Sequence, residues 1–144
     1  MREVTVTSLA NLRNEVSYGD GPSFITDEPA ALGGDGAGPD PYTLLLAALG
    51  SCISMTVMLY ARRKGWAVER VAVRLRQGRV HARDCAECTR TEDGYIHRIE
   101  RAVRIEGDLT DEQLARLQEI AHKCPVHRTL TSEIVIAELA DGTA

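Results

Sequence analysis

Hydrophobic and polar residues alternate in the first thirty residues of the chain and again in its second half. A repeat of two is typical of strands with one buried face, so the pattern predicts short strands within residues 3–27 and two longer strands later. Between the longer strands, a polar segment at 78–95 ends in a predicted turn at Gly94, and residues 133–139 predict a closing strand. The alternating apolar positions are Val4, Val6, Val16, Tyr18, Val71, Val73, Leu75, Ile99, Val103 and Ile105.

A helical spacing of three and four residues replaces this alternation over residues 42–64. Apolar side chains lie almost all round that helix, which predicts burial on most sides, in part by a partner subunit. The helix is expected to end near Gly65, after Arg62, Arg63 and Lys64. Its apolar positions are Leu44, Leu45, Ala48, Leu49, Cys52, Ile53, Met55, Thr56, Val57 and Leu59.

A second helix is predicted from Thr110, because Thr110 and Gln113 fit a capping box. Pro125 should break this helix, and residues 125–130 can form a short new turn. The order of elements predicts an α+β fold in a single domain over residues 1–144. The apolar stripe of the second helix is Leu114, Leu117, Ile120, Ala121 and Cys124.

Composition and charge narrow the class of protein. A chain that is 44% hydrophobic and 26% charged has the balance of a folded domain, and a net charge of −4 without a clustered basic face argues against nucleic-acid binding. The Gly-rich loop over residues 33–41 lacks the spacing of a phosphate-binding motif and is interpreted as a connector. The N-terminus has no apolar signal core, and the longest uninterrupted apolar run, residues 44–49, is far short of a membrane span. We therefore expect a cytoplasmic protein with no membrane partner.

Four cysteines in a reducing compartment favour redox or metal chemistry over structural disulfides. Taken alone, Cys52 fits a small buried hydrophobe as well as a nucleophile, because it lies in the middle of an apolar helix. Cys124 immediately precedes Pro125 and so is predicted at the N-cap of the short turn, where free N–H groups favour a thiolate. Both cysteines belong to core-facing stripes of two helices, so they could face each other.

Two facing thiols suit the reduction of a peroxide, which needs a thiolate, a nearby cation and a second thiol. Arg128 and Arg13 are candidate cations, although each also fits a solvated surface arginine. His122 and His127 flank Cys124 and could tune its pKa, or could be surface histidines. The leucine-rich helix and Met55 could form an apolar pocket that selects organic hydroperoxides.

A second cysteine motif, Cys85-Ala86-Glu87-Cys88, lies in the polar segment with His81 and His97 on either side. It allows three interpretations: a zinc site, a second redox pair, and a loop without chemistry. His81, Cys85 and Cys88 would supply three zinc ligands, with His97 or a partner chain as the fourth.

Two stretches resemble the cysteine motifs of the OsmC/Ohr family of thiol peroxidases. They are residues 38–52, which read GPDPYTLLLAALGSC, and residues 124–130, which read CPVHRTL; the sequence Asp27-Glu28-Pro29 fits the same family. The resemblance runs from about residue 20 to the end of the chain. It implies an OsmC-like fold in an intertwined homodimer, with two central helices packed against curved antiparallel sheets.

The resemblance also implies roles for the two cysteines. Cys52 would be the peroxidatic residue and Cys124 the resolving one, in a thiol-dependent reduction of organic hydroperoxides that defends against oxidative stress. A small dithiol or a lipoyl protein would supply the electrons, and no cofactor or metal ion is expected.

One departure from the family bears on activity. In the hydroperoxide-resistance branch a glutamate lies ten residues before the first cysteine and pairs with an arginine. That position here is Tyr42, followed by Thr43, so the arginine–glutamate network does not carry over. Either another group activates Cys52, Tyr42 being a candidate hydrogen-bond donor, or activity is weak. The alternative function is a non-catalytic OsmC-like protein that binds a small molecule.

Overall fold

The computed structural model describes residues 3–86 and 93–139, and it has the α+β composition that the sequence predicts. Two compact units divide the chain, one made of residues 1–45 and 135–144 and the other of residues 46–134; each is described by itself. The elements are β1 (Val4–Ser8), β2 (Asn14–Tyr18), β3 (Phe24–Thr26), α1 (Pro41–Lys64), β4 (Ala67–His81), β5 (Tyr95–Asp108), α2 (Asp111–Ala121) and α3 (Pro125–Thr131). Short 3-10 helices cover Ala30–Leu32 and Ala82–Asp84.

The first unit contains an antiparallel sheet in the order β1-β2-β3, which confirms the predicted short strands. Val16 is the buried residue of the middle strand, and it lies opposite Val6 on one side and Phe24 on the other. The side chains of β1 are exposed, so this sheet buries little apolar surface within the unit.

The Gly-rich loop is a connector that folds around the buried carboxylate of Asp27. The backbone N–H groups of Glu28, Asp35 and Ala37 donate hydrogen bonds to this carboxylate at 2.9, 3.0 and 3.0 Å. These bonds, first that from Ala37, hold the pKa of Asp27 below its usual value. A Cβ at Gly34 would lie 1.8 Å from the carbonyl oxygen of Glu28, so the close turn requires glycine there.

The second unit contains a long antiparallel hairpin of β4 and β5, in which Val73 lies opposite Val103. Both strands extend beyond the predicted alternation, and β4 continues to His81, opposite Tyr95. The prediction of a polar connecting segment from residue 78 was therefore wrong for 78–81. Backbone pairing continues through those residues although the outward-facing side chains are polar.

Helix α1 confirms the predicted helix but is buried on one face only. Leu49, Ile53, Val57 and Ala61, spaced four residues apart, are the residues of α1 that enter the core of the second unit. Met55 is 63% exposed in the single chain, and burial of this second face by a partner subunit stays a prediction. The core cluster also contains Leu117, Ala121 and Cys124, packed against the inward-facing side chains of the hairpin.

A small residue lets α1 approach the hairpin closely. Gly50 is buried, and a Cβ built there would lie 2.9 Å from Cδ1 of Leu75 on β4. The substitution of Gly50 by alanine would therefore push the helix or Leu75 away, two residues before Cys52.

Helix α1 is long and apolar enough to cross a membrane, judged by length and composition alone. Its most apolar 18-residue window has a mean hydropathy of 2.0 and is 28% buried in the protein. The prediction that no segment approaches membrane length rested on uninterrupted apolar runs, and it missed that no charged residue falls between Pro41 and Ala61. A core helix of a globular protein passes the same test, and α1 forms part of the core of the second unit.

Helix α2 has the predicted capping box. The backbone N–H of Gln113 donates to the Thr110 hydroxyl at 3.2 Å, and that of Thr110 donates to the Gln113 side chain at 3.0 Å. The helix ends at Ala121, three residues earlier than the predicted stripe, so Cys124 lies outside α2 and precedes α3 instead. Pro125 fits this position because it has no N–H to lose at the first helical residue.

The closing strand predicted at residues 133–139 is absent from the described part of the chain. These residues have no regular secondary structure and all are exposed, including Val135 at 81% and Ile136 at 95%. A β-branched run forms a strand only where a neighbouring strand accepts its hydrogen bonds, and no strand within the described residues of one protomer does so.

The core assignment predicts the effect of truncating Leu117, which is fully buried against α1. Leu117→Ala should lower the free energy of unfolding by about 2–5 kcal/mol, because it leaves a cavity in the cluster. Leu114→Ala, on the same helix at a half-buried position outside the cluster, should cost less. Urea unfolding followed by circular dichroism measures both, and equal losses would contradict the core assignment.

Candidate functional site

The second unit brings two free cysteines together. Cys52 lies on α1, where it is half-buried and packs against the core cluster that contains Cys124. Cys124 is the N-cap of α3 and is fully buried. One thiol is therefore partly accessible to solvent and its neighbour is not.

Consecutive backbone N–H groups at the start of α3 bind the two sulfurs. The N–H of Val126 donates to Cys52 Sγ at an N-to-S distance of 3.5 Å. The N–H of the next residue, His127, donates to Cys124 Sγ at 3.4 Å. Because one turn of backbone holds both sulfurs, their mutual position depends on where α3 begins.

Burial raises the pKa of the Cys124 thiol above its ordinary value, and its hydrogen bond with Cys52 raises it further. The backbone N–H groups of His127 and Val126 act in the opposite direction but do not prevail. The prediction that the N-cap position makes Cys124 a thiolate was therefore wrong, because it counted the N–H donors and not the loss of solvent. Cys124 stays a neutral thiol at neutral pH.

The predicted cations lie in different places. Arg128 is exposed in the last turn of α3, and its guanidinium has no ion pair among the described residues. Arg13 belongs to the first unit, where its Nε lies 3.4 Å from the Asp35 carboxylate. No described contact joins the Arg128 guanidinium to a cysteine sulfur.

Sequence reasoning missed Arg101, whose guanidinium binds the end of α2 just before Cys124. Its Nη1 donates to the carbonyl oxygen of Ala121 at 2.9 Å, and its Nη2 contacts Nδ1 of His122. The signal was present: Arg101 has the same parity as Ile99 and Val103, so it faces the helices from within an apolar stripe.

The two histidines beside Cys124 differ in their surroundings. The pKa of His122 is lowered, chiefly by burial and then by electrostatic interaction with Arg101 and His127. His122 is therefore neutral at neutral pH and can accept the hydrogen bond from Arg101. His127 donates its backbone N–H to Cys124, and its imidazole has no hydrogen-bond partner in the described part of the chain.

A cavity of about 230 Å³ opens between β5, α3 and the start of the α1 segment in this unit. Leu49, Ile99 and Leu130 supply its apolar lining, and Arg101 and His127 supply polar groups. It has the mixed lining typical of small-molecule sites.

The zinc interpretation of the second cysteine motif needs Cys85 and Cys88 as thiolates. Cys85 takes part in a disulfide, which opposes that interpretation, and Cys88 lies outside the described residues. His81 accepts a hydrogen bond from the N–H of Arg83 at 3.3 Å and lies 3.4 Å from the Asp93 carboxylate. Within residues 3–86 and 93–139, no group of three potential ligands could hold a metal ion.

Tyr42 and Thr43, which depart from the family pattern, lie in the first turn of α1, and Asp40 caps that turn. The Asp40 carboxylate accepts hydrogen bonds from the N–H groups of Tyr42 and Thr43 at 3.0 and 3.1 Å, and it also contacts the Thr43 hydroxyl. That hydroxyl is the main cause of the lowered pKa of Asp40. The acidic group here therefore stabilises the helix start, while Tyr42 is half exposed.

The contrast between the thiols predicts how they react with iodoacetamide. In the reduced protein we expect Cys52 to be alkylated first, and Cys124 to react slowly with a pH midpoint above that of free cysteine, because burial opposes its thiolate. Peptide mapping at a series of pH values measures both rates. Faster alkylation of Cys124 than of Cys52 at neutral pH would contradict the geometry.

A family model described as OsmC-like protein matches residues 33–138. No curated protein matches significantly. A crystal structure of an OsmC-like protein from Mycoplasma pneumoniae is 18% identical, with a TM-score of 0.68, and the match covers 90% of this chain and 86% of that one.

Two further structures carry names that refer to peroxide stress. The organic hydroperoxide resistance protein OsmC from Legionella pneumophila is 20% identical, with a TM-score of 0.64 and coverage of 91% and 89% of the two chains. The organic hydroperoxide resistance protein OhrB of Bacillus subtilis is 18% identical, with a TM-score of 0.60 and coverage of 91% and 90%. These structures share the fold, and the match of the family model to most of the sequence shows that the chain belongs to the OsmC-like family.

Proposed function

We propose that the protein is a thiol peroxidase that reduces organic hydroperoxides, with Cys52 as the attacking residue and Cys124 as the resolving one. The observation that carries this proposal is the pair of free sulfurs bound by the consecutive N–H groups of Val126 and His127. Membership of the OsmC-like family and the names of two structural neighbours, which refer to organic hydroperoxide resistance, support a role in peroxide stress.

The first step uses the more accessible thiol. The Cys52 thiolate attacks one oxygen of the hydroperoxide, an S–O bond forms and the O–O bond breaks. The sulfur is oxidised to a sulfenic acid, and the alkoxide that leaves takes a proton from solvent, which balances the proton that Cys52 released on ionising, and departs as the alcohol. The N–H of Val126 stabilises negative charge on Cys52 Sγ, which is the acceptor of its hydrogen bond.

The second step uses the buried thiol. Cys124 attacks the sulfenic sulfur of Cys52, an S–S bond forms and the S–O bond breaks. The hydroxide that leaves combines with the proton of Cys124 as water. Because the pKa of Cys124 is raised, this proton is still on the thiol when the attack begins. A small dithiol or a lipoyl protein then exchanges with the disulfide, which returns both cysteines to thiols and leaves the reductant as a disulfide.

The surroundings of Cys52 favour substrates with an apolar body. Leu49, one helical turn before Cys52, lines the cavity of about 230 Å³ together with Ile99 and Leu130. The body of an alkyl or aryl hydroperoxide can cover this apolar lining, whereas hydrogen peroxide cannot.

We also propose that the working form is a cytoplasmic homodimer. In one protomer, Met55 and Leu59 leave the second face of α1 apolar and exposed, at 63% and 58%. Ile134, Val135 and Ile136 are exposed as well, in a segment whose sequence favours a strand. A second copy of the chain could cover the helix face and offer a strand partner to this segment.

Substitution of the two cysteines tests the reaction. Cys52→Ser should abolish turnover of cumene hydroperoxide with a dithiol reductant, a loss of at least about a thousandfold, because serine is no nucleophile toward the O–O bond. Cys124→Ser should still consume one equivalent of peroxide and accumulate sulfenic acid at Cys52. Mass spectrometry with dimedone trapping measures both.

The control is Ser51→Ala, an exposed neighbour of Cys52 that should leave turnover unchanged. Turnover that survives Cys52→Ser would overturn the assignment. A wild-type Cys52 that reacts with cumene hydroperoxide no faster than free cysteine would favour instead the non-catalytic binding protein, which the replacement of the family glutamate by Tyr42 suggests.

The dimer is tested by placing a charge on the exposed face of α1. Met55→Glu should convert a dimer to monomers in sedimentation velocity at micromolar concentrations, because a buried unpaired carboxylate is costly. Ala115→Glu, at an exposed position of α2, is the matched control and should remain dimeric. A wild-type protein that sediments as a monomer would refute the proposed dimer.

A further inference from the structure

The feature that the proposed reaction leaves unexplained is a charge on the inward face of the hairpin. The side chains of β5 that face the helices include Ile99, Val103 and Ile105, all packed against the core cluster. Arg101 has the same parity and is half-buried, so its guanidinium lies where an apolar side chain would be expected. A charge in such a place is costly unless hydrogen bonds satisfy it, and its placement therefore calls for a specific role.

The hydrogen bonds of the Arg101 guanidinium go to the end of α2. Nη1 donates to the carbonyl oxygen of Ala121, the last residue of the helix, at 2.9 Å. Nη2 contacts Nδ1 of His122, the C-cap. The last carbonyls of a helix lack partners within it, so Arg101 satisfies one of them, that of Ala121, and adds a side-chain contact to the C-cap residue.

Cys124 follows this anchored end by only three residues. The N–H of Lys123 donates to the carbonyl oxygen of Ile120 at 2.9 Å, so the turn after α2 is tight. On its far side, Cys124 is held by the N–H of His127, and α3 begins at once. A shift of the end of α2 would therefore reach Cys124 through a turn of only two residues.

We infer that Arg101 is a positioning residue, which anchors the end of α2 to β5 and thereby holds Cys124 Sγ against Cys52. The inference rests on the proposed function, since it concerns the step in which Cys124 condenses with oxidised Cys52. Arg101 acts through the backbone of residues 121–124 and takes no part in the attack of Cys52 on the peroxide.

Two further features fit this role. Arg101 also lines the cavity beside α3 together with His127 and Leu130, so it lies between the end of α2 and the start of α3. The charge of Arg101 helps to lower the pKa of His122, which keeps that imidazole neutral and able to accept the bond. The anchor therefore stays formed at neutral pH.

The test separates the two steps of a single turnover. One equivalent of cumene hydroperoxide is added to reduced protein, and rapid quenching followed by mass spectrometry records sulfenic acid at Cys52 and the Cys52–Cys124 disulfide. In Arg101→Met we expect oxidation of Cys52 within about twofold of wild type and disulfide formation slowed about tenfold or more, since two bonds of a charged donor are lost. Sulfenic acid should accumulate as a consequence.

Two variants keep the result interpretable. Arg101→Lys retains the charge and one hydrogen bond but not the two-pronged geometry, so it should restore disulfide formation in part. Arg104→Met removes an exposed arginine from the opposite face of the same strand and should match wild type. A wild-type rate of disulfide formation in Arg101→Met would overturn the inference. So would an equal slowing of both steps in the methionine and lysine variants, with a common loss of thermal stability.

Diamide oxidation distinguishes this inference from the proposed function. Diamide accepts two electrons and two protons from a pair of thiols, so it forms the same disulfide without any peroxide. If cumene hydroperoxide fails to oxidise wild-type Cys52, the peroxidase proposal falls, and the diamide rate still reports on Arg101. Slower diamide-driven disulfide formation in Arg101→Met than in Arg104→Met then supports the positioning role, and equal rates refute it.

Discussion

The contact between α1 and the β4–β5 hairpin is the constraint on which the second unit depends. Leu49, Ile53 and Val57 lie one helical turn apart and pack onto the inward-facing side chains of the two strands. This packing fixes the rotation of α1 about its axis and so the direction of Cys52. The buried cluster then extends to Leu117 and Cys124, so the second sulfur is located by the same apolar contacts as the first.

Much of this arrangement was predictable because it depends on local patterns. The capping box at Thr110 and Gln113 needs only four consecutive residues, and Pro125 after Cys124 sets the start of α3 by its missing N–H. The motifs around Cys52 and Cys124 identified the family for a related reason, since each is continuous in sequence. Features with such short-range causes are visible in the sequence alone.

The predictions that were wrong depended on burial in the folded core or on a neighbouring strand, and a local sequence pattern contains neither. The thiolate expected at Cys124 depended on how burial compares with two N–H donors, and burial is a property of the folded core. The strand expected at residues 133–139 needed a neighbouring strand, which the described part of one protomer does not supply. Arg101 was not predicted as part of the site. Its place in the alternation of β5 indicates an inward-facing position, but an arginine is usually expected at the surface.

The positions of the two cysteines along the chain have a consequence for stability. A bond between Cys52 and Cys124 would close a loop of roughly seventy residues that contains the whole β4–β5 hairpin and α2. By the chain-entropy account, such a cross-link disfavours the unfolded state by about 4 kcal/mol. The oxidised chain would then resist heat and proteases better than the reduced one, so resistance to degradation would itself report the redox state of the cell.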